Sequence, residues 1–224
     1  FFDRLDRLPA RYERERCFRD YVGLLFQAGK WRRETSPRGR RSLRNGYLRF
    51  LRGWLLDASS AEGAVLKGWV ESRFGIPPVY HAGRIEGADS PEYLRYLSQR
   101  MGESARTNAV ESQLDLLYEF VQYELRRRHP DAPTFTLYRG IRNLSDYRIL
   151  ERPGGNRAVV RLNNLNSFSS RLEHAWRFGS HVFEAGIPAA KILFREDLLP
   201  GILPEGEEEA LVIGGDCEVT VRTF

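Results

Sequence analysis

The sequence predicts an α+β fold, and three observations predict it. Apolar residues recur at helical spacing up to Pro130. Beyond Pro133 they alternate, as half-buried strands require. Only Arg171 to Phe178 interrupts the strands with a helical pattern, so strand-helix-strand units do not repeat and a parallel βαβ array is excluded. A chain of 224 residues is long enough for one sizeable core, or for one domain with an appended helical part. The expected organisation is a helical stretch over 1–130 and a strand-rich stretch over 131–224, read together as one compact domain.

The elements follow in order. Pro9 to Ala28 carries Tyr12, Phe18, Val22, Leu25 and Phe26 at helical spacing, and Gly29 stops it. Residues 30–46 read as a polar, basic loop broken by Pro37, Gly39 and Gly46. Tyr47 to Leu56 is a second helix. Ser59 with Glu62 reads as a capping box for a third, which Gly75 and Pro77-Pro78 end. Ser90-Pro91 caps a fourth. Thr107 to Arg128 is the longest, with Val110, Leu114, Leu117, Val121 and Leu125 on one stripe. Strands are expected at Thr134 to Tyr138, Ala158 to Leu162, Asn166 to Ser169, Val182 to Ala185, Ala189 to Phe194, Glu209 to Ile213 and Glu218 to Arg222.

Charge and composition narrow the class. The formal net charge is +5, and residues 1–52 hold 15 basic against 6 acidic side chains. All but three of the cations are arginine, a residue that grips phosphates and carboxylates with two parallel hydrogen bonds. Codon usage in a GC-rich genome explains the same bias. A basic face predicts an acidic partner, protein or nucleic acid. Cys17 and Cys217 are too few for a disulfide framework and read as reduced thiols in a cytoplasmic protein. Apolar runs are too short for a membrane span, and no cleavable leader is visible, although the opening at Phe1 reads as a lost N-terminus. His81, His129, His174 and His181 are scattered without ligand spacing, so no metal is expected. Gly154-Gly155 reads as a turn, since no phosphate-loop pattern accompanies it.

Three short motifs carry chemistry: Tyr138-Arg139-Gly140, Ser167-Phe168-Ser169 and Glu207-Glu208-Glu209, each at a predicted strand edge. Together they suit a substrate with a diphosphate, a ribose hydroxyl and a cationic leaving group, and NAD fits that description. Each has a plainer reading. Arg139 could form a strand-end salt bridge. Ser167 and Ser169 could cap the helix from Arg171. Glu205 and Glu207 to Glu209 could be a solvated acidic turn.

In this order and context the motifs resemble the arginine-serine-glutamate class of mono-ADP-ribosyltransferases. Ala175 and Phe178 stand 8 and 11 residues after Ser167, as that class expects. The whole chain, including the run Glu62 to Gly75, is similar to the bacterial dinitrogenase reductase ADP-ribosyltransferases. The resemblance implies a two-sheet transferase core behind the helical part, with NAD as substrate and no metal. It implies transfer of ADP-ribose to an arginine of the nitrogenase iron protein, and regulation by a PII-type signalling protein. It makes Glu209 the anion facing the developing ribose cation and Glu207 the residue that orients the acceptor guanidinium. An extended backbone puts those two on one side. Arg139 would hold the diphosphate or adjacent ribose, and Ser167 would hydrogen-bond the ribose or hold Glu209. The Gly140 backbone, Phe168 and Ser169 would complete the NAD site. Phe168, Trp176, Phe178 and Phe183 are the candidates to stack on nicotinamide. Two rivals remain at this stage: another protein acceptor, or a basic helical nucleic-acid-binding protein with a degenerate transferase core. Tyr47-Leu48-Arg49-Phe50 weakly suits the second.

Overall fold

The computed structural model describes residues 1–26, 46–104, 109–202 and 208–223, and among these residues six helices precede the strands. They are α1 Phe2–Asp6, α2 Arg11–Leu25, α3 Tyr47–Leu56, α4 Ala61–Phe74, α5 Pro91–Ser104 and α6 Val110–Arg128. The basic loop expected over 30–46 lies outside the described residues up to 45. Helix α3 has the bounds its apolar spacing predicts, and Tyr47, Phe50, Leu51 and Trp54 are all buried. That burial removes the motive for base stacking, because the two aromatics interleaved with Arg49 face the core.

Helix α4 corrects the expected cap by one residue. Ser60, not Ser59, is the N-cap, and its Oγ accepts the Gly63 N–H at 3.1 Å. Ser59 instead accepts the Ala82 N–H at 2.8 Å, tying the loop that follows α4 back to its start. Residues Gly63 to Val70 are all buried, so this helix is the centre of the helical part. Helices α2 and α6 are joined by a buried ion pair: Arg14 donates to Glu124 at 2.5 and 3.1 Å, with both side chains almost wholly enclosed. Arg14 also donates to the Leu8 and Pro9 carbonyls, so its fork is satisfied as burial demands. Phe18 stacks on Phe120 beside it, ring centroids 4.3 Å apart.

The strands are β1 Thr134–Ile141, β2 Arg148–Gly154, β3 Arg157–Ser169, β4 His181–Pro188, β5 Ile192–Arg195 and β6 Glu209–Thr223. A one-turn helix, α7 Leu172–Ala175, runs into a tight turn at Trp176–Phe178 between β3 and β4. All six strands pair in one sheet, in the order β2-β3-β1-β4-β6-β5. A further β3–β6 pairing closes β3, β1, β4 and β6 into a ring. The resemblance implied two sheets; here the length of β6 joins everything. Its start pairs with β5 and its end with β4, while β3 runs along its other side.

Strands β3 and β6 each fuse two shorter ones expected from the sequence. Leu162 faces Gly215 and Leu165 faces Ile213, so Asn163 and Asn164 oppose Gly214 alone in a bulge. A side chain at Gly214 is excluded there, since a Cβ would lie 1.8 Å from the Asn163 carbonyl oxygen. The bulge docks the sheet onto the helical part. Asn164 Nδ2 donates to the Lys67 and Ile76 carbonyls at 2.8 and 3.0 Å, and Asn163 Oδ1 accepts the Val79 N–H at 3.0 Å. One hydrophobic cluster, running from Leu5 in α1 to Val219 in β6, spans both parts.

Candidate active site

Strands β1, β3 and β6 bring the three motifs to one pocket of about 230 Å³. Across the sheet, Tyr138 pairs with Ser169 and Ser169 with Glu209, so the motifs form one row. Arg139, Gly140, Ser167, Phe168, Ser169 and Glu209 all line the pocket. Glu207 lies outside the described residues. Arg139 is oriented by β3 and by Tyr147: Nη1 donates to the Ser167 carbonyl at 2.7 Å and Nε to the Tyr147 hydroxyl at 3.3 Å. Glu209 is 8 % exposed, so its carboxylate sits in a largely water-excluded wall where charge acts strongly.

The two serines divide. Ser169 Oγ accepts the Arg171 N–H at 3.1 Å, the capping contact that the plainer reading anticipates. Ser167 Oγ accepts from Trp54 Nε1 at 2.9 Å, a partner from α3. Glu208 clamps the start of β6 to the end of β3. Its carboxylate accepts from Ser170 Oγ at 2.8 Å and from Arg171 at 3.3 Å, and its carbonyl accepts the Ser170 N–H. These bonds hold Glu208 at φ 43°, a left-handed conformation that costs a non-glycine residue about 1 kcal/mol or more.

Gly140 has a packing reason to be glycine. A Cβ there would lie 2.0 Å from the Ala175 carbonyl oxygen and 2.9 Å from Phe178 Cβ. The missing side chain thus lets α7 and its turn lie directly on β1, and only the Gly140 backbone is left to meet a ligand. Of the aromatic candidates, Phe168 and Phe178 line the pocket, Phe178 at 61 % exposure on its rim. Phe183 is fully buried and edge-on to Tyr147 at 5.0 Å, so it belongs to the core. Trp176 is not in the lining.

Trp54, Leu55 and His174 also line the pocket, and the sequence did not mark them as site residues; Tyr138 lines it as part of the first motif. Trp54 and Leu55 look like any apolar stripe, and only the docking of α3 on β3 reveals them. His174 stands one residue before the motif alanine. Its Nδ1 is buried without a hydrogen-bond partner among the described residues, which leaves a polar atom for a ligand to satisfy. Behind the pocket, Lys67 is fully buried, with Nζ 5.8 Å from the Trp54 ring centroid, 2.9 Å from the Tyr80 carbonyl oxygen and 3.3 Å from His81 Nδ1. Burial lowers the Lys67 ammonium to about 8. Burial also lowers His81, against the opposing effect of its hydrogen bond to Gln99. Among the described residues no group of three or more His, Cys, Asp or Glu could hold a metal ion, and no helix is long and apolar enough to cross a membrane.

Arginine, serine and glutamate on three adjoining strands offer a fork of donors, a hydroxyl and a carboxylate to one pocket, a set that suits a phosphorylated, ribose-containing ligand. The family model of dinitrogenase reductase ADP-ribosyltransferases matches residues 1–221. The chain is also 37 % identical over 219 residues to the NAD(+)–dinitrogen-reductase ADP-D-ribosyltransferase of Rhodospirillum rubrum, covering 96 % of this chain and 79 % of that protein. The chain belongs to the dinitrogenase reductase ADP-ribosyltransferase family. No solved structure matches it significantly.

Proposed function

We propose that this chain transfers ADP-ribose from NAD to an arginine of dinitrogenase reductase, the nitrogenase iron protein, with release of nicotinamide. The observation that carries the reading is the meeting of Arg139, Ser167 and Glu209 on one pocket in a chain of this family. The bond between ribose C1′ and the nicotinamide nitrogen breaks, and nicotinamide leaves with the bonding pair. The ribose then carries oxocarbenium character, as in glycoside hydrolysis. Glu209 faces that charge and is hydrogen-bonded through the 2′-hydroxyl, so it stabilises what exists only in the transition state. Arg139 holds the diphosphate or the adjacent ribose, and Ser167 the ribose. The Gly140 backbone, with His174 Nδ1 beside it as a further polar group, is read as meeting the nicotinamide amide.

An acceptor guanidinium is protonated near neutral pH and has no lone pair to offer. Glu207 takes a proton from it as its nitrogen bonds to C1′. Glutamate at that position, two before Glu209, supports arginine as the acceptor. The strands, which pair as one sheet, are read as the family's two-sheet core with its sheets joined through β6, and the basic helical part as its partner-facing side. Regulation by a PII-type protein rests on family resemblance. The deciding experiment incubates the full chain with labelled NAD and purified iron protein. Label on an iron-protein arginine with stoichiometric nicotinamide release is expected. Nicotinamide release with the label absent from the iron protein would leave the transferase and reject the acceptor.

A further inference from the structure

We propose that Trp54, on helix α3 of the helical part, is a positioning residue that fixes the Ser167 hydroxyl as a hydrogen-bond donor into the pocket. The inference rests on reading Ser167 as part of the NAD site. An indole N–H is a donor only, so the 2.9 Å contact has one direction: Trp54 Nε1 donates and Ser167 Oγ accepts. A serine hydroxyl has one proton and two lone pairs. With one lone pair committed to the indole, the proton cannot point that way. It takes one of the remaining directions, on the side where Ser167 lines the pocket with Glu209. What waits there is an acceptor, either the Glu209 carboxylate or a ribose oxygen of NAD. A serine without Trp54 would sample all its rotor positions and donate in only some of them. Trp54 removes the unproductive ones before substrate arrives, and such preorganisation lowers a barrier without tightening ground-state binding.

The ring is well held for this task. Trp54 is 3 % exposed. The buried Lys67 Nζ lies 5.8 Å from its ring centroid and is itself tethered to the Tyr80 carbonyl at 2.9 Å. The loop carrying Tyr80 is in turn bound to the β3 bulge, where Asn163 Nδ2 donates to the same carbonyl at 3.0 Å. Helix, loop and sheet therefore converge on one indole, and the helical part supplies a component of the active site.

The test uses the full chain and the variant Trp54→Phe, which keeps the ring's bulk and deletes the donor. The turnover number for nicotinamide release should fall about tenfold, the scale of one well-placed hydrogen bond. KM for NAD should stay within about twofold, because the lost interaction acts on the transition state. In a Ser167→Ala background the same substitution should cost nothing further. A second arm reads the bond directly. The indole N–H resonance of Trp54, assigned in the parent chain by its through-space contacts, should move upfield in Ser167→Ala. Parent-level turnover in Trp54→Phe overturns the proposal, as does an equal loss in both backgrounds. An unmoved resonance overturns it even if Trp54→Phe does not fold. A parent chain that releases no nicotinamide overturns the underlying reading, and this one with it. An active parent beside an equally active Trp54→Phe overturns this one alone.

Discussion

At the scale of single residues, the two glutamates should separate chemically. Glu209→Gln should abolish both NAD cleavage and transfer, with a loss of about a hundredfold or more expected from removing one such stabilising group. Glu207→Gln should spare much of the slow cleavage by water and abolish transfer, because water needs no deprotonation to present a lone pair. Nicotinamide release and protein labelling, followed side by side, check this; parent-rate labelling by Glu207→Gln would end its assigned role. Arg139→Lys should lose much of the NAD affinity by calorimetry. A single ammonium can keep the contact to the Ser167 carbonyl or reach a phosphate, but cannot copy a guanidinium that does both. Arg139 and Glu209 could be singled out as pocket residues because the three motifs stand in an order that resembles a known family; each motif alone reads as a salt bridge, a helix cap or an acidic turn. Trp54 could not be, since a tryptophan on an apolar stripe is written the same way whether it packs or donates. His174 was passed over for a similar reason, because a lone histidine shows nothing until its neighbours are known.

At the scale of elements, α7 rests on β1 only because residue 140 has no side chain. Gly140→Ala would force the Ala175 carbonyl, 2.0 Å from the new carbon, to move. A loss of about 1–3 kcal/mol in stability is expected, the usual cost of overpacking, with weaker NAD binding as His174 and Phe178 shift. Denaturant midpoints and calorimetry would show it, and an unchanged midpoint would mean that α7 yields freely. Helix α4 makes a prediction about pH. Lys67 titrates near 8 when folded and near 10.5 as an ordinary lysine. Between those values the unfolded chain binds more protons. The stability contribution of this group is therefore full above 10.5, and is lost as pH falls through 8. Tyr47, pushed up to about 12 by burial, acts the opposite way, but only above pH 10. From pH 8 to 10 the parent should thus gain about 2–3 kcal/mol relative to Lys67→Met, read from unfolding curves of both. A constant difference across that range would contradict the burial of the ammonium. The helices α3, α4 and α6 were legible because 3.6-residue spacing and glycine or proline stops are local signals. The strand β2 was missed because Arg148, Glu151, Arg152 and Pro153 leave almost no apolar alternation. The strands β3 and β6 were split because Asn163-Asn164 and Gly214-Gly215 read as breaks, and a bulge is visible only when the partner strand is in place.

At the scale of the whole molecule, the charge gradient should govern encounter. Reversing charges across Arg32 to Arg44, a segment outside the described residues, should slow association with the acceptor protein and leave NAD binding intact. Stopped-flow rates over a range of salt decide it; equal, salt-independent rates in variant and parent would remove this arm from steering. That helices come first and strands after was legible from the change of period alone. How the two parts dock was not, because the contact runs through the Asn163 and Asn164 side chains, which no local pattern records.

The sheet's two outer strands bear on solubility. An unpaired strand edge is a template for another chain, and proteins that leave one exposed tend to aggregate. Here β2 is blunted by charged side chains, by Pro153 and by an irregular register against β3. The opposite strand, β5, is only four residues long and is covered by α6. Gln122 donates from that helix to the Ala189 and Ile192 carbonyls, and Tyr118 to that of Ala190. The same irregularity that hides β2 from sequence reading thus keeps the sheet from growing by one chain at a time.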